Sequence, residues 1–127
     1  MRPVFLKETV GQYQGGTYVW LSANTHTDHK TQQRVTNYYI SNNRGIRGFT
    51  KVEPHQFEDP TVFVDVECRP VKVGDHICRF NTTDNIQILE RREVVAVTAE
   101  ALMLAPKTKG GRVTSTGDNS KVMIVSR

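Results

Sequence analysis

Val71-Lys72-Val73-Gly74-Asp75-His76-Ile77-Cys78-Arg79-Phe80 is the stretch that decides the fold. Gly-Asp is turn chemistry: glycine adopts the backbone angles a tight turn needs, and aspartate hydrogen-bonds nearby backbone. His76 to Phe80 then reads as a strand. It is answered by Glu93-Val94-Val95-Ala96-Val97 and by Ala101-Leu102-Met103-Leu104, each after a short loop. A turn, a strand and two returning strands predict a small, curled antiparallel barrel.

Outward from this stretch the chain keeps the same character. Val and Ile outnumber Leu and Ala, and Thr is abundant, which suits a pleated, half-buried surface. No amphipathic helix of ordinary length is apparent. Thr17 to Ser22 follows the Gly15-Gly16 breaker and reads as a strand, as does Arg34 to Ile40. The polar segment between them, Ala23 to Gln33, is expected to be a long hairpin loop. Thr61 to Glu67 alternates, so it predicts a strand with Val62, Val64 and Val66 on the core face and Phe63, Asp65 and Glu67 on a mostly wet one. Ile86 to Leu89 returns after the turn at Asn81 to Asn85. Pro106 to Gly111 reads as a flexible basic loop. Arg112 to Thr114 and Lys121 to Val125 predict a last hairpin around Gly117-Asp118-Asn119.

The fold class is therefore all-β, a small antiparallel barrel or sandwich. Residues 1–127 are expected to form a single β-rich domain. Residues 71–104 resemble part of an SH3-like barrel. The nucleic-acid-binding KOW motif of that class carries a glycine where this chain has Asn81 to Asn85 without one, so no binding residues carry over from it.

The 127 residues carry 17 Lys and Arg against 13 Asp and Glu, a formal net charge of +4, which favours an anionic partner. Cys68 and Cys78 form no CxxC pair and read as reduced thiols. The N-terminus lacks the apolar run of a signal peptide, and no segment approaches the ~18 apolar residues of a membrane span. A cytoplasmic protein with no membrane partner is expected.

The strongest candidate for binding is Asn43-Arg44-Gly45-Ile46-Arg47-Gly48-Phe49-Thr50-Lys51. Glycines let a backbone approach phosphate, Arg44, Arg47 and Lys51 neutralise it, and Phe49 offers a stacking face. Arg47-Gly48-Phe49 resembles the opening of the RNA-binding RRM signature, a likeness that ends at Thr50 and Lys51. Lys107, Lys109 and Arg112 form a second cationic patch, and the two patches are expected to clamp an anionic backbone. Arg91 and Arg92 are adjacent on a strand, so at most one can share a patch face. Of the consecutive Tyr38 and Tyr39, one is expected to face outward.

His26 and His29, with His76 and Cys78, have the ligand types of a metal site, but no second H-x-x-H or CxxC pair supports one. No metal, cofactor or catalytic residue is assigned, because no phosphate-loop, dinucleotide or protease motif occurs. The leading expectation is a small basic module binding nucleic acid, DNA or RNA, through phosphate contacts with little sequence specificity. The second is an accessory or inhibitory module, viral in style, that binds a host protein by edge-strand pairing or a tyrosine-rich patch. The third is a small enzyme or small-ligand-binding protein, which requires histidines or arginines converging in a pocket.

Overall fold

The computed structural model describes residues 1–42, 48–83 and 86–127. The described chain is all-β and falls into two compact units, residues 1–60 and 61–127. Each holds one antiparallel five-stranded sheet. Among the described residues no helix is long and apolar enough to cross a membrane.

The first unit contains β1 (Arg2–Leu6), β2 (Thr17–Thr27), β3 (Arg34–Ser41), β4 (Thr50–Val52) and β5 (Phe57–Glu58), in the sheet order β4-β3-β2-β1-β5. Strand alternation puts Val4, Leu6, Val19, Leu21, Ile40 and Val52 into one core with Tyr13. Residues 7–16 fold back over it. Val10 and Tyr13 exchange both backbone hydrogen bonds, 2.9 and 3.0 Å. Gly15 lies so close to the Glu8 backbone that a Cβ there would meet it at 2.7 Å. The expected loop from Ala23 to Gln33 is shorter than its composition suggests. Ala23 to Thr27 pair with Arg34 to Tyr38, and only residues 28–33 turn. Ladder pairing across two long strands overrides the polar character of the segment, helped by the Thr25–Thr36 hydroxyl contact at 3.0 Å.

The second unit contains β6 (His76–Thr83), β7 (Ile86–Val97), β8 (Leu102–Leu104), β9 (Thr114–Thr116) and β10 (Val122–Ser126), ordered β10-β6-β7-β8-β9. It is a four-stranded meander, a 3-10 turn over Asn119–Lys121, and a last strand that returns to the first. The sheet curls into a half-barrel. The curl comes from β7, which pairs with β6 along its first part and with β8 along its last. Its register with β8 shifts between Val94 and Ala96, so Val95 is the bulged residue. The Gly74-Asp75 turn is present. Gly74 has φ +93°, and the Asp75 carboxylate accepts from the Lys72 amide at 2.8 Å. Phe63, Val71, Ile77, Val94, Leu102, Leu104, Val122 and Ile124 form the core.

Two expectations about this unit need correction. Residues 61–67 are not a strand. Phe63, Val64 and Asp65 are all 0 % exposed, so the alternation does not separate a wet face from a dry one. The Asp65 carboxylate explains this. It accepts from the amides of Glu67 at 3.0 Å and Arg69 at 2.9 Å and from the Arg69 guanidinium, closing a turn where a ladder would run. Nor do Arg112–Thr114 and Lys121–Val125 form a hairpin. β9 pairs with β8, while β10 pairs with β6 and places Val122 and Ile124 in the core.

The same turn covers the outer edge of β10. Asp65 also accepts from the Ile124 amide at 2.9 Å, Arg69 donates to the Ile124 carbonyl at 2.8 Å, and the Val66 amide donates to the Val122 carbonyl at 2.7 Å. Backbone groups that would otherwise recruit another strand are thus occupied.

Candidate nucleic-acid interface

The cations of the second unit gather because two strands carry charge on their inward faces. On β7, Glu90 and Arg92 share the face of the core residue Val94; on β6, Arg79 shares the face of Ile77. Glu90 and Arg92 are 7 % and 6 % exposed. A buried carboxylate is costly without partners. Here Glu90 has Arg79 Nε at 3.3 Å, Arg92 Nη1 at 3.6 Å and the Lys107 ammonium in direct contact. Arg92 is further held by the Ala105 carbonyl, 2.6 Å from Nε, and by the Thr114 hydroxyl, 3.1 Å from Nη2. It therefore fixes the β8–β9 loop to β7.

These side chains line an open cleft of ≈ 270 Å³ together with Thr108, Gly111 and Arg112. Four cationic groups, Arg79, Arg92, Lys107 and Arg112, surround one carboxylate. Three of them contact Glu90; Arg112 makes no ion pair among the described residues. The surplus is positive and sits against a low-dielectric wall, where its field reaches an approaching anion with little screening. The size and openness suit a phosphate group.

Of the residues singled out from sequence, Lys107 and Arg112 meet in this cleft, whereas Lys109 is exposed and does not line it. Arg92 is buried in the cleft and Arg91 is exposed, as their adjacency on a strand requires. Arg79 is the partner that sequence reading missed. Its signal was available, since it lies two residues along a strand from the core aliphatic Ile77.

In the first unit, β3 turns its two tyrosines to opposite faces. Tyr38 packs edge-on against Phe57, ring centroids 5.5 Å apart, on the core side. Tyr39 faces the other way and lines a recess of ≈ 300 Å³ with Ser22, Ala23, Asn24 and Phe49. Phe49 is 64 % exposed. Lys51 stands opposite Tyr39 in the β3–β4 register and so shares its face. Tyr13 supports this corner from below. It is 1 % exposed, its hydroxyl donates to the Gly48 carbonyl at 3.1 Å, and burial pushes its phenol above the ordinary value. Arg44 and Arg47 lie outside the described residues.

Among the described residues no three His, Cys, Asp or Glu side chains gather into a metal-sized group. His26 and His29 are exposed in the first unit, while His76 and Cys78 are half-buried on β6 of the second. Cys68 and Cys78 are free thiols. No protein-family model, curated protein or solved structure matches the chain.

Proposed function

We propose that this protein is a nucleic-acid-binding module that grips the phosphate backbone with little regard to sequence, in a reducing compartment such as the cytoplasm. The observation that carries the reading is the cleft of Arg79, Arg92, Lys107 and Arg112 around Glu90. Arg79 and Arg92 are already engaged with Glu90, Ala105 and Thr114, so they form a fixed positive floor. Lys107 and Arg112, at the rim, are the groups that meet phosphate. Phosphate contacts of this kind supply affinity and register but carry no base information. The free thiols of Cys68 and Cys78 fit the compartment.

Edge-strand pairing with a protein is less well supported. β4, β5 and β9 are only 3, 2 and 3 residues long, and β10 is covered by the Asp65 turn. A small anionic ligand is the second reading, favoured by the convergence of arginines on a single cleft.

One experiment separates the two. The double variant Lys107→Ala plus Arg112→Ala is compared with wild type for binding a fluorescent 20-mer oligonucleotide, with nucleoside monophosphates and inorganic phosphate as competitors. The nucleic-acid reading expects saturable oligonucleotide binding, weakened in the variant and not displaced by millimolar phosphate. Displacement by a mononucleotide at micromolar concentration favours the small-ligand reading. Absence of saturable binding to any of these probes overturns both.

A further inference from the structure

We propose that the recess between Tyr39 and Phe49 takes an unstacked base, so that the nucleic acid bound is single-stranded. This rests on the nucleic-acid reading and adds to it the state of the strand.

Phe49 is a large apolar side chain left 64 % exposed beside a half-buried tyrosine. Exposure of one such ring is ordinary; two rings lining one recess are a stacking platform. The recess is mainly apolar in its walls, as the flat face of a base requires. A base also has a polar edge, and three groups can meet it. Among the described residues, the Ser22 hydroxyl, the Asn24 amide and the Tyr39 hydroxyl form no side-chain hydrogen bond within the protein. Together they offer donors and acceptors to any base, which suits sequence-tolerant binding. Lys51 supplies the cation. It is exposed, shares the Tyr39 face and makes no ion pair among the described residues, so it is free for the phosphate attached to that base.

The size of the recess also favours a single strand. A recess of ≈ 300 Å³ admits one ring system and not a base pair. In a duplex both π-faces are already stacked and both edges paired, so reaching this recess would first cost a few kcal/mol of unstacking. A single strand presents the base without that cost.

The test uses the full chain and three probes of equal length: an oligo-dT strand, an abasic strand with the same sugar-phosphate backbone, and a blunt duplex. Wild type is expected to bind oligo-dT more tightly than either other probe. Phe49→Ala is expected to lower oligo-dT affinity about five- to 100-fold, the range for losing one stacked base, while leaving abasic affinity unchanged. Phe49→Trp keeps a ring and is expected to retain binding. Because Phe49 is largely exposed, its truncation leaves the core intact, and the unchanged abasic affinity of the same sample reports the fold. Equal wild-type affinities for oligo-dT and abasic strands overturn this inference alone, as does tighter binding of the duplex. Failure of every probe to bind at about 50 mM salt overturns the nucleic-acid reading itself, and this inference with it.

Discussion

Replacing Asp65 with alanine removes the acceptor on which four N–H groups converge. Three are backbone or buried-edge contacts, from the Glu67, Arg69 and Ile124 amides, and the fourth is the Arg69 guanidinium. Hydrogen bonds to an ionised acceptor contribute about 1.5–3 kcal/mol each. They share one carboxylate, so their losses overlap and do not add. The Arg69 side chain is 36 % exposed, so its ion pair is partly screened by water and adds little. The buried Ile124 amide cannot recover its partner from solvent. The net cost is about 3–5 kcal/mol, a large share of the about 5–15 kcal/mol that holds a typical domain folded. Asp65→Asn keeps one acceptor oxygen and the shape, and is expected to lose roughly half as much. The assay is urea unfolding followed by circular dichroism, with hydrogen exchange at the Val66 and Ile124 amides. Both amides lose protection in Asp65→Ala, and the uncovered β10 edge makes the variant associate at high concentration. A loss below about 1 kcal/mol with both amides still protected would refute the assignment of Asp65 as the clasp of the second unit.

Three further outcomes follow from the same geometry. Glu90→Gln removes the one negative charge in the cationic cleft, so it is expected to raise oligonucleotide affinity about three- to tenfold while costing about 1–3 kcal/mol in stability, read by anisotropy and by urea unfolding. Tyr13→Phe removes the bond to the Gly48 carbonyl and is expected to cost about 1 kcal/mol at neutral pH. Because burial raises the folded phenol above the unfolded value of about 10, its contribution is intact below that pH and is lost as pH rises through the folded value, so the gap between wild type and Tyr13→Phe narrows in alkaline unfolding series. Gly15→Ala forces a Cβ to 2.7 Å from the Glu8 backbone and is expected to cost about 2–3 kcal/mol, read as a lowered midpoint in thermal melts.

What could be read from the sequence was what local rules govern. The Gly74-Asp75 turn, the strand from His76 and the return through Val94 to Leu104 are all short-range, and turn chemistry with alternation locates them. The return of β10 to β6 pairs Val122 with Arg79, far apart in the chain, and no local signal announces it. Residues 61–67 misled for another reason. Their alternation is genuine, but a buried Asp65 with Arg69 as partner outcompetes the ladder, and alternation cannot distinguish a solvated aspartate from a buried one. The cleft was half legible. Lys107 and Arg112 are visible as a basic loop and Arg92 as one of an adjacent pair on a strand, whereas Arg79 lies on a strand where charge is normally solvated. Extending the period of two from Ile77 flags it.

The most direct test of the account is the salt dependence of oligonucleotide binding, measured for wild type and for Lys107→Ala plus Arg112→Ala between about 50 and 200 mM salt. Each phosphate neutralised on a single strand contributes about −0.7 to the slope of log affinity against log salt, so the three contacting cations, Lys107, Arg112 and Lys51, predict a wild-type slope of about −2. The double variant is expected to be shallower by about 1.4. A wild-type slope near zero, or an unchanged slope in the variant, would contradict the claim that this cleft holds the backbone.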